Sequence, residues 1–377
     1  MVKRIIFFLL LFSFILPSIS VYSTNDNTVP EEYEDLLDSI PDDIADLLPE
    51  DIFSNNSDDI GSGAQQITNW NFIIDFIFNC IGMNFKTIIK VFATLMALLI
   101  LCSLLNTFNT TVKNSAVDGV VGIIGNIAII SSIMEISNEP ITKALSMLDN
   151  LKIFVNTISP ALSAMYAMGG NVNSAIIHNY GLIVFLSVLE NICIISLELI
   201  VGICMALTLA SAFVKEGNLL ALSNAIKKIF SFILGFIMLT FTTVISTQSL
   251  LASKADNLSS KTAKMLVSQI IPLIGGSIGE SLRTAGASIE YLRSNIGVIL
   301  IVVLLLMIIP TLINIALYRL VFILTNSFAG LLGCNREGNI ILEISSIFGY
   351  ILAIISICSI VLILLLTVFA KCASPLS

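Results

Sequence analysis

Few ionisable residues in this chain are placed where they could do chemistry. The one histidine, His178, lies at the start of an apolar run, and the carboxylates Glu190 and Glu198 lie within the same run, residues 176–214. Eight residues separate the two carboxylates, which places them about 80° apart on an ideal helix at ~100° per residue, so they need not share one face. No HExxH, GxSxG, phosphate-binding glycine loop or GxGxxG motif precedes a helix in a strand context in this chain. The sequence therefore predicts a protein that is not an enzyme.

The cysteines do not suggest a metal or redox site. Seven of them are scattered through apolar surroundings, with no CxxC pair: Cys80, Cys102, Cys193, Cys204, Cys334, Cys358 and Cys372. An odd number without close pairs argues against a zinc site or a disulfide framework. We expect buried thiols that act as small hydrophobic groups, with no metal ion and no cofactor.

The stretch from residue 261 to 288 is flanked by apolar runs long enough to cross a bilayer, yet it does not itself read as a span. Lys261 and Lys264 make it polar, Pro272 interrupts it, and Gly275 and Gly276 follow at once. Proline removes a backbone donor and glycine weakens a helix, so the sequence predicts two short amphipathic helices joined at residues 272–276. Such a break is tolerated at membrane depth where it is buried in protein or lines a wet cavity. The alternative is a helical pair lying in the membrane interface.

Composition sets the class of protein. The chain is 56% hydrophobic and 12% charged with a mean hydropathy of +0.98, whereas a soluble domain carries about 25% charged residues. Its apolar runs are long enough for helices and not for barrel strands. Thirteen of the 26 acidic residues fall between Asp26 and Asp59, so the net charge of −8 reflects one segment. The sequence predicts an all-α, polytopic helical membrane protein.

The amino-terminal part reads as an exported segment. Residues 1–23 have two basic residues, an apolar run and then small residues, which is typical of a signal peptide; an uncleaved anchor is the alternative. Residues 24–69 form an acidic linker, predicted to lie outside the cytoplasm because no Lys or Arg occurs from Ile5 to Phe85. The linker is either solvated with transient helices or docks its small Leu/Ile faces onto a partner. Residues 70–90 are predicted to be an interfacial amphipathic segment anchored by Trp70.

The remainder, residues 91–377, is predicted to be the polytopic domain with six to eight spans. Single spans are expected at residues 91–112, 119–134, 229–253, 294–318, 320–335 and 344–370, with a helical hairpin at 176–214. Residues 294–318 and 320–335 are separated at Arg319, and residues 215–218 and 336–339 are expected to be turns.

An internal tandem repeat is predicted from collinear matches. Residues 152–160, ending at Pro160, align with residues 264–272, ending at Pro272, at an offset of 112. The Lys-Glu-Gly-Asn run at 215–218 aligns with Arg-Glu-Gly-Asn at 336–339, at an offset of 121. Repeat 1 covers about residues 119–225, repeat 2 about 229–343, and the final span 344–370. Matching broken segments in two membrane repeats are typical of transporter-like or pore-like proteins.

The 121-residue offset also makes Glu198 equivalent to Arg319. An isolated charge in the membrane costs about 2.5–3.5 kcal/mol on insertion scales and usually finds a partner or water. One hypothesis is that these two side chains pair near a pseudo-symmetry axis. The alternative is that each lies near a span end, with Arg319 extending toward the interface.

The block around residue 261 also resembles a known family. Gln-Ser-Leu-Leu-Ala-Ser at 248–253, Lys-Thr-Ala-Lys at 261–264, Ile-Pro at 271–272 and Gly-Gly at 275–276 are similar to the stage III sporulation protein AE family of endospore-forming bacteria. The resemblance implies a multi-pass protein of the mother-cell membrane facing the forespore. It further implies a channel or scaffold subunit of a transenvelope complex that is needed for forespore development after engulfment. The implied partners are the other stage III sporulation A membrane proteins and the forespore partner protein Q, with the lipid bilayer and no nucleic acid.

A second class of function stays open at this point. The repeat and the membrane-embedded charges are compatible with a stand-alone secondary transporter of unknown solute. Such a transporter acts without partners, whereas a complex subunit depends on them.

Overall fold

The computed structural model describes residues 40, 42–54, 57–112, 115–168, 188–189, 191–211, 219–240, 243 and 275–371. Across these residues the secondary structure is helical and no strand occurs. The amino-terminal elements are α1 (Asp42–Ala45), a 3-10 turn (Glu50–Phe53) and α2 (Ser57–Ile67). The longer helices are α3 (Trp70–Val112), α4 (Ser115–Met168), α5 (Asn191–Ala210), α6 (Leu219–Thr240), α7 (Gly275–Leu331) and α8 (Asn335–Lys371).

Five of the described helices contain segments apolar and long enough to cross a membrane: Trp70–Leu105, Asn191–Ala210, Leu219–Thr240, Asn295–Leu331 and Asn335–Leu364. The prediction of an all-α, multi-pass membrane protein is confirmed. At 1.5 Å per residue, α7 is about 85 Å long and α4 about 80 Å, far more than the ~30 Å of a hydrocarbon core. These helices therefore extend well beyond the hydrocarbon.

The centre of the molecule is an antiparallel hairpin of α7 and α8. In their most apolar windows, 67% of α7 and 61% of α8 is buried, against 28% for α3, 39% for α5 and 17% for α6. Phe348 of α8 lies between two rings of α7, with centroids 6.1 Å from Tyr318 and 5.2 Å from Phe322. The other spans surround this hairpin and keep apolar faces outward.

A glycine turn ends α7 and starts α8. Gly333 has φ 75°, the N–H of Cys334 donates to the Ala329 carbonyl at 2.9 Å, and the N–H of Gly333 donates to the Gly330 carbonyl at 3.4 Å. These two bonds satisfy carbonyls that the helix end leaves without partners, which is the Schellman arrangement. The chain can therefore reverse within Leu332–Cys334.

Gly333→Ala should lower the free energy of unfolding by about 1–2 kcal/mol, because a Cβ disfavours the left-handed conformation. A Cβ at this position would meet nothing within 4 Å, so the cost is one of backbone conformation alone. Thermal unfolding of the purified protein measures it, with Gly333→Asn as the control, since asparagine tolerates this conformation better. Equal unfolding temperatures for wild type and Gly333→Ala would contradict the assignment.

The outer helices are tied to the hairpin by contacts in register. The Asn314 amide of α7 donates to the Asn84 side-chain oxygen of α3 at 2.7 Å, and the Ser103 hydroxyl of α3 donates to the Leu332 carbonyl at 2.9 Å. From the first contact to the second, the position advances by 19 residues along α3 and by 18 residues from Asn314 to Leu332. The two helices therefore run parallel. Gly125 of α4 lies near Cys102 of α3, where a Cβ added to the glycine would be 3.5 Å from the Cys102 sulfur, so α4 turns back along α3.

The acidic segment packs on its own chain in the residues described. Ile44, Leu48, Ile52 and Ile60 are buried and belong to the same core as α7. The hydroxyl of Ser62 and the side-chain amide of Gln66 in α2 both donate to Asp51, at 3.2 and 2.9 Å, and so hold α2 to the 3-10 turn. In residues 42–54 and 57–67 the buried isoleucine and leucine side chains therefore contact the core of the same chain. The assignment of residues 24–69 as an acidic extracytoplasmic linker stays a prediction.

Two predicted boundaries are corrected. Residues 294–318 and 320–335 are not two spans, because α7 runs through Arg319 without a break. Residues 336–339 are not a turn; they form the first turn of α8, and the reversal lies at Leu332–Cys334. Residues 70–90 and the following apolar residues form one continuous helix, α3, and the assignment of 70–90 to the membrane interface stays a prediction.

Candidate functional site

A buried ion pair joins α6 to α8. The ammonium nitrogen of Lys227 lies 2.9 Å from Oε2 of Glu343, and the two side chains are only 8% and 16% exposed. Both residues lie in helices that are candidate membrane spans. The pair is therefore largely shielded from solvent by the protein itself.

Neutral side chains complete the hydrogen bonding of this pair. The Asn224 amide donates to Oε1 of Glu343 at 2.9 Å, and Lys227 donates a second bond to the Ser346 hydroxyl at 2.8 Å. Asn224 and Lys227 are three residues apart on α6, and Glu343 and Ser346 are three apart on α8, so each pair occupies one helix face. We call these four residues the α6–α8 polar cluster.

The cluster fixes how α6 sits on the central hairpin. Taking two charges out of water is costly, and their attraction offsets that cost only when the remaining donors and acceptors are also satisfied. In this cluster both carboxylate oxygens and two donors of the ammonium group have partners. Sliding α6 along α8 would break several of these bonds at once, so the cluster sets the register of the two helices.

Arg319 of α7 is accommodated by a glycine of α8. A Cβ added at Gly349 would lie 2.7 Å from the Arg319 Cζ and 2.8 Å from one of its terminal nitrogens. The guanidinium group therefore lies directly against the backbone of α8. The Ser345 hydroxyl also donates to the Arg319 carbonyl, at 3.4 Å. Because Gly349 has no side chain, α8 leaves room for the Arg319 side chain in the middle of α7.

Polar contacts join several helices of the bundle. Asn314 of α7 contacts Asn84 of α3, and Arg319 of α7 contacts the Ser345–Gly349 region of α8. The α6–α8 polar cluster reaches α8 at Glu343 and Ser346. Polar side chains inside membrane bundles hydrogen-bond across helices and hold them together.

The predicted site residues are only partly described. Lys261, Lys264 and Pro272 lie outside the described residues. Gly275 and Gly276 are the first residues of α7. Pro160 lies inside α4, which continues to Met168, and its side chain is exposed.

Glu198 and Arg319 are not brought together as an ion pair in the part of the chain that the structure describes. Glu198 is on the exposed side of a π-helical turn, Ser196–Ile200, within α5. The Arg319 guanidinium group lies against Gly349 of α8. The hypothesis of a direct pair therefore has no support in this geometry.

The sequence pattern does not reveal the α6–α8 polar cluster, because charged residues between apolar runs are interpreted as the ends of spans. The predicted spans begin at residues 229 and 344, just after Lys227 and Glu343. The available signal is the three-residue spacing of polar side chains in each helix. The contacts between these two helices have sequence separations of 116 to 119, which fall between the 112- and 121-residue offsets of the predicted repeat. A contact between two helices does not show that they arose by duplication, so the internal repeat stays a prediction.

Among the described residues, no group of three or more His, Cys, Asp or Glu side chains is arranged to hold a metal ion. The cysteines of this part are buried: Cys80, Cys102, Cys193, Cys204, Cys334 and Cys358.

The comparisons with known proteins agree with the resemblance found in the sequence. A curated relative, stage III sporulation protein AE of Bacillus subtilis (strain 168), is 24% identical over 218 residues. The match covers 57% of this chain and 54% of the relative, so the chain spans about half the length of that relative. No solved structure matches the chain. The sequence model of the family described as stage III sporulation protein AE matches residues 53–373. That match covers most of the chain, which therefore belongs to the stage III sporulation protein AE family.

Proposed function

We propose that this chain is a membrane subunit of the transenvelope complex that joins mother cell and forespore, where it serves as a channel or scaffold subunit. Membership of the stage III sporulation protein AE family carries the proposal. The family name refers to a stage of sporulation and denotes no enzymatic reaction, and we propose that the chain is not an enzyme. Its partners would be the other stage III sporulation A membrane proteins and the forespore partner protein Q.

The outward faces of the bundle support a role in assembly. In α6, Phe232 is 77% exposed, Phe236 64% and Leu239 68%. In α3, Phe78 is 68% and Met83 69% exposed. A central hairpin held by polar contacts, with apolar helices on the outside, offers lipid and neighbouring subunits large apolar surfaces.

Dependence on partners tests this proposal. An epitope-tagged chain should lose its normal level or its location at the engulfed forespore when the other stage III sporulation A genes are deleted. Unchanged level and location in every such deletion would contradict a subunit role. The runner-up, a stand-alone secondary transporter, predicts that independence.

The acidic segment is proposed to lie outside the cytoplasm, so Asp46→Cys should react with an impermeant maleimide in cells whose outer membrane face is accessible. Asp46 is exposed, whereas the neighbouring Ile44 is buried. Ile44→Cys is therefore the matched control and should label far more slowly. Labelling of Asp46→Cys only after lysis would place this segment in the cytoplasm.

The Pro-Gly stretch before α7 is proposed to be required for function. Pro272→Ala combined with Gly275→Ala removes two helix breakers, and we expect sporulation to stall after engulfment while the protein still accumulates. Spore counts and immunoblots measure the two effects. A normal spore yield from this double variant would contradict the proposal.

A further inference from the structure

A groove of about 490 Å³ lies between α4 and α7. Ile44 of the amino-terminal segment forms part of its wall. The volume is that of a small-molecule pocket, for which ~300–1,000 Å³ is usual, and is much larger than a single ion needs. The part of α4 that lines the groove carries polar side chains, whereas the part of α7 that lines it lies in a candidate membrane span.

The α4 wall is a ladder of neutral hydrogen-bonding groups. Asn138, Thr142, Ser146 and Asn150 follow one another at intervals of four residues and all line the groove. This spacing places them on one helix face. The Thr142 hydroxyl donates to the Asn138 carbonyl at 2.9 Å, which leaves its oxygen able to accept a bond from the groove. The wall can thus both donate and accept.

The α7 wall is mainly apolar. Leu306, Met307 and Pro310 line the groove there, together with Thr311. Among these four residues Thr311 carries the side chain that can form hydrogen bonds with a polar ligand.

One charge of each sign lines the groove. Lys143 lies 2.6 Å from Glu139, and the two side chains are 50% and 53% exposed. An exposed helix pair of this kind is worth less than ~1 kcal/mol, so it opens at little cost. A simple anion would meet Glu139, and a simple cation would meet Lys143. A ligand with both charges can satisfy each of them.

We propose that this groove binds a zwitterionic group of the amino-acid type, with its ammonium end at Glu139 and its anionic end at Lys143. The hydroxyl and amide groups of α4 bind the polar remainder. A zwitterionic lipid headgroup shares this chemistry and is the other source of such a group. The inference goes beyond the proposed role in a complex and does not depend on it.

Protection from thiol labelling tests the site in the purified full-length protein. Ser146→Cys is exposed in the groove, and the background carries Cys372→Ser so that the remaining thiols are those buried in the structure. The reaction rate with a small uncharged thiol reagent is measured in nanodiscs of phosphatidylglycerol, with and without L-alanine or L-glutamine. Ethylamine, acetate and glucose serve as the cationic, anionic and neutral probes.

At millimolar concentration an amino acid should slow labelling at least fivefold, whereas ethylamine, acetate and glucose should not. Glu139→Gln and Lys143→Met should each abolish protection, measured as the ratio of the labelling rates without and with the amino acid in the same variant. Lys152→Met, on the same helix but outside the groove lining, should keep it. A second supporting result is labelling that is slow in discs that contain phosphatidylethanolamine and becomes fast again with the same two substitutions. That result would support the site and identify a lipid headgroup as the zwitterionic ligand.

The proposal is overturned if neither an amino acid nor phosphatidylethanolamine protects the thiol. It is equally overturned if acetate, ethylamine or glucose protects as well as the amino acids, or if Ser146→Cys does not react. Because the measurement uses the isolated protein, its failure leaves the proposed role in the complex untouched.

Discussion

Replacement of Lys227 by methionine is expected to cause the largest loss of stability among single substitutions in the α6–α8 polar cluster. Methionine leaves the Glu343 carboxylate buried without its cation. Removing one partner of a buried ion pair costs about 3–5 kcal/mol, because the remaining charge is neither hydrated nor paired. The unfolding temperature of the purified protein and its level in membranes should both fall.

Two controls separate this effect from a general loss of charge. Lys228 is adjacent and exposed, so Lys228→Met changes the net charge equally and should leave stability within about 0.5 kcal/mol of wild type. Lys227→Met combined with Glu343→Leu removes both buried charges and should recover most of the loss. If Lys227→Met is as stable as Lys228→Met, the ion pair does not hold α6 to α8.

The second large effect is expected at Gly338, where α8 packs tightly against α7. A Cβ at this position would lie 2.9 Å from the Ala329 Cβ and 2.9 Å from the Asn326 side-chain oxygen. The Ala329 methyl cannot move aside without its helix, so Gly338→Ala should force the hairpin apart. Overpacking of this kind costs about 1–3 kcal/mol, and the unfolding temperature measures it.

Gly330→Ala is the matched control in the same hairpin. A Cβ there would meet nothing within 4 Å, and alanine favours a helix over glycine by up to ~1 kcal/mol. Gly330→Ala should therefore be neutral or stabilising. Equal effects of the two substitutions would show that α7 and α8 do not pack as described.

The class of fold is predictable from composition because the membrane restricts the possible structures. A chain with long apolar runs has to satisfy its backbone hydrogen bonds internally, and helices are the simplest way to do so. The family is also predictable, because the resemblance rests on the polar block at residues 261–264 and the Pro-Gly break after it, and not on apolar runs that any polytopic protein shares. Its match to residues 53–373 does not depend on a correct assignment of every span.

Helix boundaries and buried charges are less predictable because they depend on partners far along the chain. The sequence pattern places a span end at Arg319 because a charge there interrupts two apolar runs. The space that accommodates this side chain is provided by Gly349 on the next helix, which the local pattern does not show. It likewise places Lys227 and Glu343 at span edges, although their ion pair compensates the cost of burying both charges inside the bundle. The burial of Ile44 escapes prediction for the same reason, because its partners belong to the core formed by the later helices.

The central claim is that this chain works as a subunit of a sporulation complex, and immunoprecipitation tests it most directly. The tagged protein is solubilised in mild detergent from sporulating cells, and co-purifying proteins are identified by mass spectrometry, with an untagged strain as the control. The proposal predicts recovery of the other stage III sporulation A membrane proteins, and their loss with Lys227→Met but not with Lys228→Met. Recovery of this chain alone, in a strain that completes sporulation normally, would contradict it.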